Sequence, residues 1–169
     1  GHWEFDLTTR QITFNDQYYS LHGTTAEEAG GYIMSVEKFT SRYMHPDDAD
    51  LLDEALRRII ETNDPNLRLH QEARILRADG EPRDVKVWFR SEKDTQGRIT
   101  KMRGVTQDIT EHKLVEEAVH ASEVLNRAVL NSVLANIAVV AKHGTIIAIN
   151  EGWERFAQEN GCDPQSLKV

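Results

Sequence analysis

The chain has 169 residues, 39% hydrophobic and 28% charged, which is enough for one full domain plus a fragment and excludes a disordered tail. A net charge of −8, with basic pairs such as Arg57-Arg58 set among acids, excludes the dense basic face that phosphate binding requires, so no nucleic-acid partner is expected. No apolar run nears the roughly 20 residues of a spanning helix, Gly1-His2-Trp3-Glu4 lacks the layout of a signal peptide, and the single cysteine, Cys162, permits neither an internal disulfide nor a cysteine metal cluster; the expectation is a soluble piece without membrane contact in a reducing, cytoplasmic setting.

His2 to Leu7 alternates, with Trp3, Phe5 and Leu7 on one parity, and predicts a strand. After the polar turn Thr8-Thr9-Arg10, a second strand covers Gln11 to Phe14, with Ile12 and Phe14 facing one way. Asn15 or Asp16 caps a short helix through Tyr18, Tyr19 and Leu21, which Gly23 ends; Gly30-Gly31 breaks the next short turn. Val36, Phe39, Tyr43 and Met44 stand at helical spacing. His45-Pro46-Asp47-Asp48 reads as a helix start, with proline in the first turn and acids on the positive end of the dipole. The helix that follows carries the stripe Leu51, Leu52, Ala55, Leu56, Ile59 and Ile60 and is stopped by Asn63-Asp64-Pro65.

Three strands come next. Leu69 to Arg77 sets Ala73 and Ile75 on one face and His70, Glu72 and Arg74 on the other; Ala78-Asp79-Gly80 is a hairpin signal. Val85, Val87 and Phe89 share a face of the second strand, Trp88 takes the opposite parity, and Ile99 to Ile109 is the third. Trp88 is expected on the outer face, either covered by a linker helix or partner or simply exposed. Glu111 to about Val133 is free of Pro and Gly and helical in period. Leu114, Ala118, Ala121, Leu125, Ala128 and Ser132 step by four and three as a coiled-coil seam does, and a rival stripe runs through Val115, Val119, Ser122, Val129 and Val133. Ile137 to Val140, His143-Gly144, Ile146 to Ile149 and Glu151 to Glu159 then repeat the strand, turn, strand, helix order of residues 2–23. The order as a whole fits an α+β fold: one five-stranded antiparallel sheet, with short helices on one face and the first two strands beside the last ones.

In Trp3-Glu4-Phe5-Asp6-Leu7, Ile12 to Asp16, Tyr19 to Gly23, His45-Pro46-Asp47-Asp48, Glu72 with Arg74-Ile75, Asp79-Gly80, Gly97-Arg98-Ile99, Gly104 and Asp108 to Lys113, the chain resembles the PAS family with its C-terminal PAC motif. The resemblance covers residues 2–113; residues 137–161 resemble the start of a second such domain, cut short. The domains expected are a PAS domain over 1–110, a helical signal linker over 111–134 and a truncated second PAS domain over 135–169. The resemblance implies a sensory input and relay module of a multidomain bacterial protein, with a histidine kinase or a cyclic-di-GMP cyclase or phosphodiesterase as output domain in the same parent. A ligand-free dimerisation module is the alternative. It implies relay through Asp108, Ile109 and Thr110, where Asp108 or Thr110 bonds the free N–H groups of the helix starting near Glu111, and a homodimer along Leu114, Ala118, Ala121 and Leu125.

A ligand would lie between the inner sheet face and the helices, with Phe39, Tyr43, Ala73, Ile75, Val87, Phe89, Met102 and Thr106 as candidates by parity, although an ordinary core needs the same residues. The blue-light flavin subclass has a reactive cysteine between the central helices and a glutamine two residues past the last-strand glycine; here the motif is absent, Cys162 is elsewhere and Thr106 holds the glutamine position. Oxygen-sensing haem members carry a histidine on the long central helix, and 47–63 contains none. Covalent FMN and helix-ligated haem are therefore not expected, whereas a noncovalent flavin or another haem ligand stays open. No catalytic constellation is expected: His45 with Asp47 and Asp48 is read as a helix start and not a metal site, and His112 and His120 as surface residues and not phosphoacceptors.

Overall fold

The computed structural model describes residues 1–62 and 68–161. The expected helix stop at Asn63-Asp64-Pro65, and Cys162, lie outside the described residues. The chain divides into two compact units, 1–113 and 114–169.

The first unit runs β1 (His2–Asp6), β2 (Gln11–Phe14), α1 (Asp16–Leu21), α2 (Ala26–Ala29), β3 (Ile33–Ser35), α3 (Val36–Tyr43), a 3₁₀ turn (Pro46–Asp48), α4 (Leu51–Thr62), β4 (Arg68–Leu76), β5 (Pro82–Lys93) and β6 (Ile99–Asp108). α5 (Thr110–Ser132) leads into the second unit, which holds β7 (Ala138–Val140), β8 (Ile146–Ile149) and α6 (Glu151–Glu159). The sheet of the first unit has six strands in the order β3-β2-β1-β6-β5-β4, all neighbours antiparallel. The expectation of five strands is corrected by β3. Its three residues are too few to alternate visibly, and its last one, Ser35, also caps α3 by accepting from the Lys38 N–H at 3.2 Å. The first two strands do lie beside the last one, since β1 pairs with both β2 and β6.

Register builds the core in rows. Ser91, Met102, Phe5, Ile12 and Met34 are opposite one another across five strands, and every one is buried. A second row joins Leu69, Phe89, Gly104, Trp3 and Phe14. Gly104 is a notch in this row: a Cβ there would stand inside the Trp3 ring. The strand glycine serves close approach, not an unusual backbone angle. Each buried apolar side chain in such rows contributes about 1.5–3 kcal/mol by leaving water.

The amphipathic helices cover this face with Tyr18, Tyr19, Phe39, Ala55, Leu56 and Ile59. The His45-Pro46-Asp47-Asp48 segment is a helix start, as expected: the His45 ring nitrogen Nδ1 accepts from the Asp47 N–H at 3.3 Å. It is also a clamp on β4. The Asp48 carboxylate accepts from the Arg74 backbone N–H at 2.7 Å and from its guanidinium at 2.7 and 3.1 Å, which holds the Asp48 carboxyl below the usual range.

Candidate functional site

A cavity of about 70 Å³ lies between the inner sheet face and the helices. Its walls come from Trp3 and Phe5 of β1, Ile12 and Phe14 of β2, Tyr18 of α1, Phe39 of α3, Leu52 and Ala55 of α4, and the inward residues of β4, β5 and β6. Of the eight candidates chosen by parity, Phe39, Ala73, Ile75, Val87, Phe89, Met102 and Thr106 line it. Tyr43 does not, and its placement is corrected. It is buried against α1, its ring 4.6 Å from the imidazole of His22. Helical spacing put Tyr43 on the buried face of α3 with Phe39, but that face has two neighbours, and Tyr43 meets the second.

Sequence reasoning missed Trp3, Tyr18 and Gln71 as cavity residues. The signal for Trp3 was present in Gly104, whose bare backbone receives the indole. The indole Nε1–H donates to the Thr106 hydroxyl at 3.2 Å, so the ring is fixed as a cavity wall from both sides. Burial raises the Tyr18 phenol above its ordinary range, and its neighbour Thr106 offsets part of this. Gln71 enters through register: it is opposite Val87, which is opposite Thr106, so the three form one inward row at the cavity.

His22 forms a second buried centre at the C-terminal end of α1. Its carbonyl accepts from the Ala78 N–H at 2.8 Å, and its Nδ1–H donates to the Leu76 carbonyl at 3.1 Å. The ring is enclosed by Tyr18, Phe39 and Tyr43. Burial lowers its pKa from 6.5 to about 4, so the imidazole is neutral near pH 7 and the bond to Leu76 fixes the proton on Nδ1.

The sheet leaves through β6 into α5. The Asp108 carboxylate accepts from the Thr110 N–H at 2.9 Å, as expected of a cap. The helix starts at Thr110, one residue before the expected Glu111. The Thr110 hydroxyl turns away from the helix: it accepts from the Asp84 N–H on β5 at 2.9 Å and donates to the Asp84 carbonyl at 3.3 Å. Lys113, one turn on, reaches the Asp84 carboxylate at 2.8 Å and Glu72 of β4 at 3.0 Å. The first turn of α5 is thereby tied to β4, β5 and β6. Beyond it, α5 has no buried residue, and Leu114, Val115, Val119, Leu125 and Val129 are each more than half exposed.

Trp88 is on the outer sheet face at 39% exposure, with the Lys86 ammonium 5.8 Å from its ring centre. Among the described residues, no group of three or more His, Cys, Asp or Glu side chains is placed to hold a metal ion, and no helix is long and apolar enough to cross a membrane.

A family model described as PAS fold matches residues 11–106, more than half of the chain. The chain belongs to the PAS family. The sensor protein FixL of Bradyrhizobium diazoefficiens is 25% identical over 163 residues; the alignment takes in 92% of this chain and only 29% of that protein. Among solved structures, a sensory box histidine kinase/response regulator of Burkholderia thailandensis is 20% identical with a TM-score of 0.60, over 76% of this chain and 90% of its own. The N-terminal domain of a diguanylate cyclase with PAS/PAC sensor from Marinobacter aquaeolei gives 21% identity and a TM-score of 0.55, over 66% and 96%. These two structures share the α+β fold of this PAS domain, in which the long helix α5 follows the sheet.

Proposed function

We propose that the chain is the input and relay part of a multidomain bacterial signalling protein, working in the cytoplasm with a histidine kinase or a cyclic-di-GMP cyclase or phosphodiesterase as its output domain. One observation carries this reading. Thr106, in the cavity wall, and Thr110, the first residue of α5, belong to the same short stretch of chain, so a displaced β6 has α5 as its immediate continuation. A cavity of about 70 Å³ falls well below the roughly 300–1,000 Å³ of pockets for drug-sized ligands and cofactors, which supports a sensor without covalent FMN or helix-ligated haem. The absence of histidine from α4 supports the same view. Hydrogen exchange tests the relay. Filling the cavity by Ala73→Leu should change protection over 109–113 in the parent sequence, and much less when Thr110→Val has cut the bonds to Asp84. Unchanged protection over 109–113, with cavity amides clearly shifted, would sink the relay.

The second reading, a dimerisation module without ligand, is favoured by the apolar and unburied face of α5. Both readings make the chain a homodimer through Leu114, Ala118, Ala121 and Leu125. Leu125→Glu should shift sedimentation toward monomer; an unchanged profile removes this seam. Native mass spectrometry separates the two readings, since a stoichiometric bound molecule belongs to the sensor alone.

A further inference from the structure

We infer that the cavity takes a small, uncharged and largely apolar molecule, no larger than one aromatic ring, with a single hydrogen-bonding group set against the Gln71 amide. This rests on the cavity being the ligand site of the sensor. No Asp, Glu, Lys, Arg or His lines the cavity, so an ionic ligand would lose its hydration there without gaining a counter-charge. Size narrows the class further. An apolar cavity of roughly 150 Å³ takes one benzene, so 70 Å³ sets one six-membered ring as the upper limit of size.

The polar atoms decide the remaining chemistry. Thr106 already accepts from the Trp3 indole and stands against the Tyr18 phenol, so little of its bonding capacity is left. The Gln71 side chain has no hydrogen-bond partner among the described residues, although it lines the same wall. An amide both donates and accepts, so a hydroxyl, a carbonyl or an amine on the ligand would satisfy it. The aromatic walls supplied by Trp3, Phe14, Phe39 and Phe89 favour a flat molecule.

The test uses the 169-residue chain with phenol, toluene and benzoate as probes, followed by methyl NMR at Ile75, Val87 and Met102. Phenol should bind at one site and more tightly than toluene by about fivefold, the value of one neutral hydrogen bond. Benzoate should leave the methyl signals unmoved. Gln71→Leu should remove the preference for phenol and keep toluene binding, a result that a general loss of fold would not produce. Equal binding of phenol and toluene to the parent chain, or binding of benzoate as tight as that of phenol, overturns the inference while leaving the cavity a ligand site. If no probe moves the methyl signals, the cavity is ordinary core and the sensor reading falls with the inference.

Discussion

Asn15 and Asn150 open the same local structure in the two units, and the difference between them is instructive. The Asn15 Oδ1 accepts from the His2 N–H at 2.9 Å and the Tyr18 N–H at 3.0 Å. The Asn150 Oδ1 accepts from the Ile137 N–H at 2.9 Å and the Trp153 N–H at 3.0 Å. Each asparagine therefore ties the start of a hairpin to the start of a helix. Only Asn150 uses its amide nitrogen as well: Nδ2 donates to the carbonyls of Leu130, Val133 and Ala135 at 3.1, 3.4 and 2.8 Å. These carbonyls lie in the last turn of α5 and just beyond it, where a helix leaves acceptors without partners. In the second unit, one buried side chain thus joins the end of α5 to β7 and α6. In the first, the same cap is followed by an aromatic core under a six-stranded sheet, whereas β7 and β8 form a sheet of two, with Val140, Ile147 and Phe156 about half exposed.

The largest expected effect tests the difference in core. Phe5→Ala should destabilise the first unit by about 3–5 kcal/mol, because Phe5 is 2% exposed at the centre of a five-strand row. Val140→Ala, at the corresponding place in β7 and 53% exposed, should stay within about 0.5 kcal/mol. Urea unfolding resolved by hydrogen exchange reads both. Similar losses would mean that the second hairpin has a core of its own.

Next in size is a pH effect confined to the first unit. An unfolded imidazole takes up its proton near pH 6.5, and buried His22 does so only near 4. Between those values the unfolded chain binds more protons, so stability falls as pH falls, by about 3 kcal/mol across the window. His22→Phe should flatten that slope in unfolding curves between pH 4 and 6.5. In the second unit the corresponding position is Ala157, also buried, and no such slope is expected there. A slope that survives His22→Phe would assign it to other groups.

The smallest effect separates the two asparagines. Asn150→Asp keeps the acceptor that caps α6 and loses the donor to three carbonyls, so it should cost about 1–3 kcal/mol and speed amide exchange at the end of α5. Asn15→Asp keeps everything that Asn15 does and should stay within about 0.5 kcal/mol. Equal effects would show that only the shared cap matters.

The repeat itself was legible, because strand alternation and an Asn before a helix are local signals. So were the inward faces of β4, β5 and β6, since a period of two leaves little choice once one residue is placed. What escaped depended on partners distant in sequence. Ile33–Ser35 becomes a strand only because Gln11–Thr13 lies beside it. Tyr43 and His22 find each other across α3 and α1, and Gln71 reaches the cavity through two register steps. Sequence alone leaves Asp108 and Thr110 as equal candidates for the cap of α5, because no sequence rule reveals that Asp84 stands opposite the Thr110 hydroxyl.

The strapping of Thr110 and Lys113 to β4 and β5 has a mechanical consequence. A helix of 23 residues is about 35 Å long. With its first turn held by the strands, α5 is a lever whose fulcrum is the sheet. A tilt of about 5° at that fulcrum displaces the far end by about 3 Å, or two residues of helical rise. Under the proposed relay, a strand displacement that tilted this first turn would reach the end of α5 as a movement the size of a side chain.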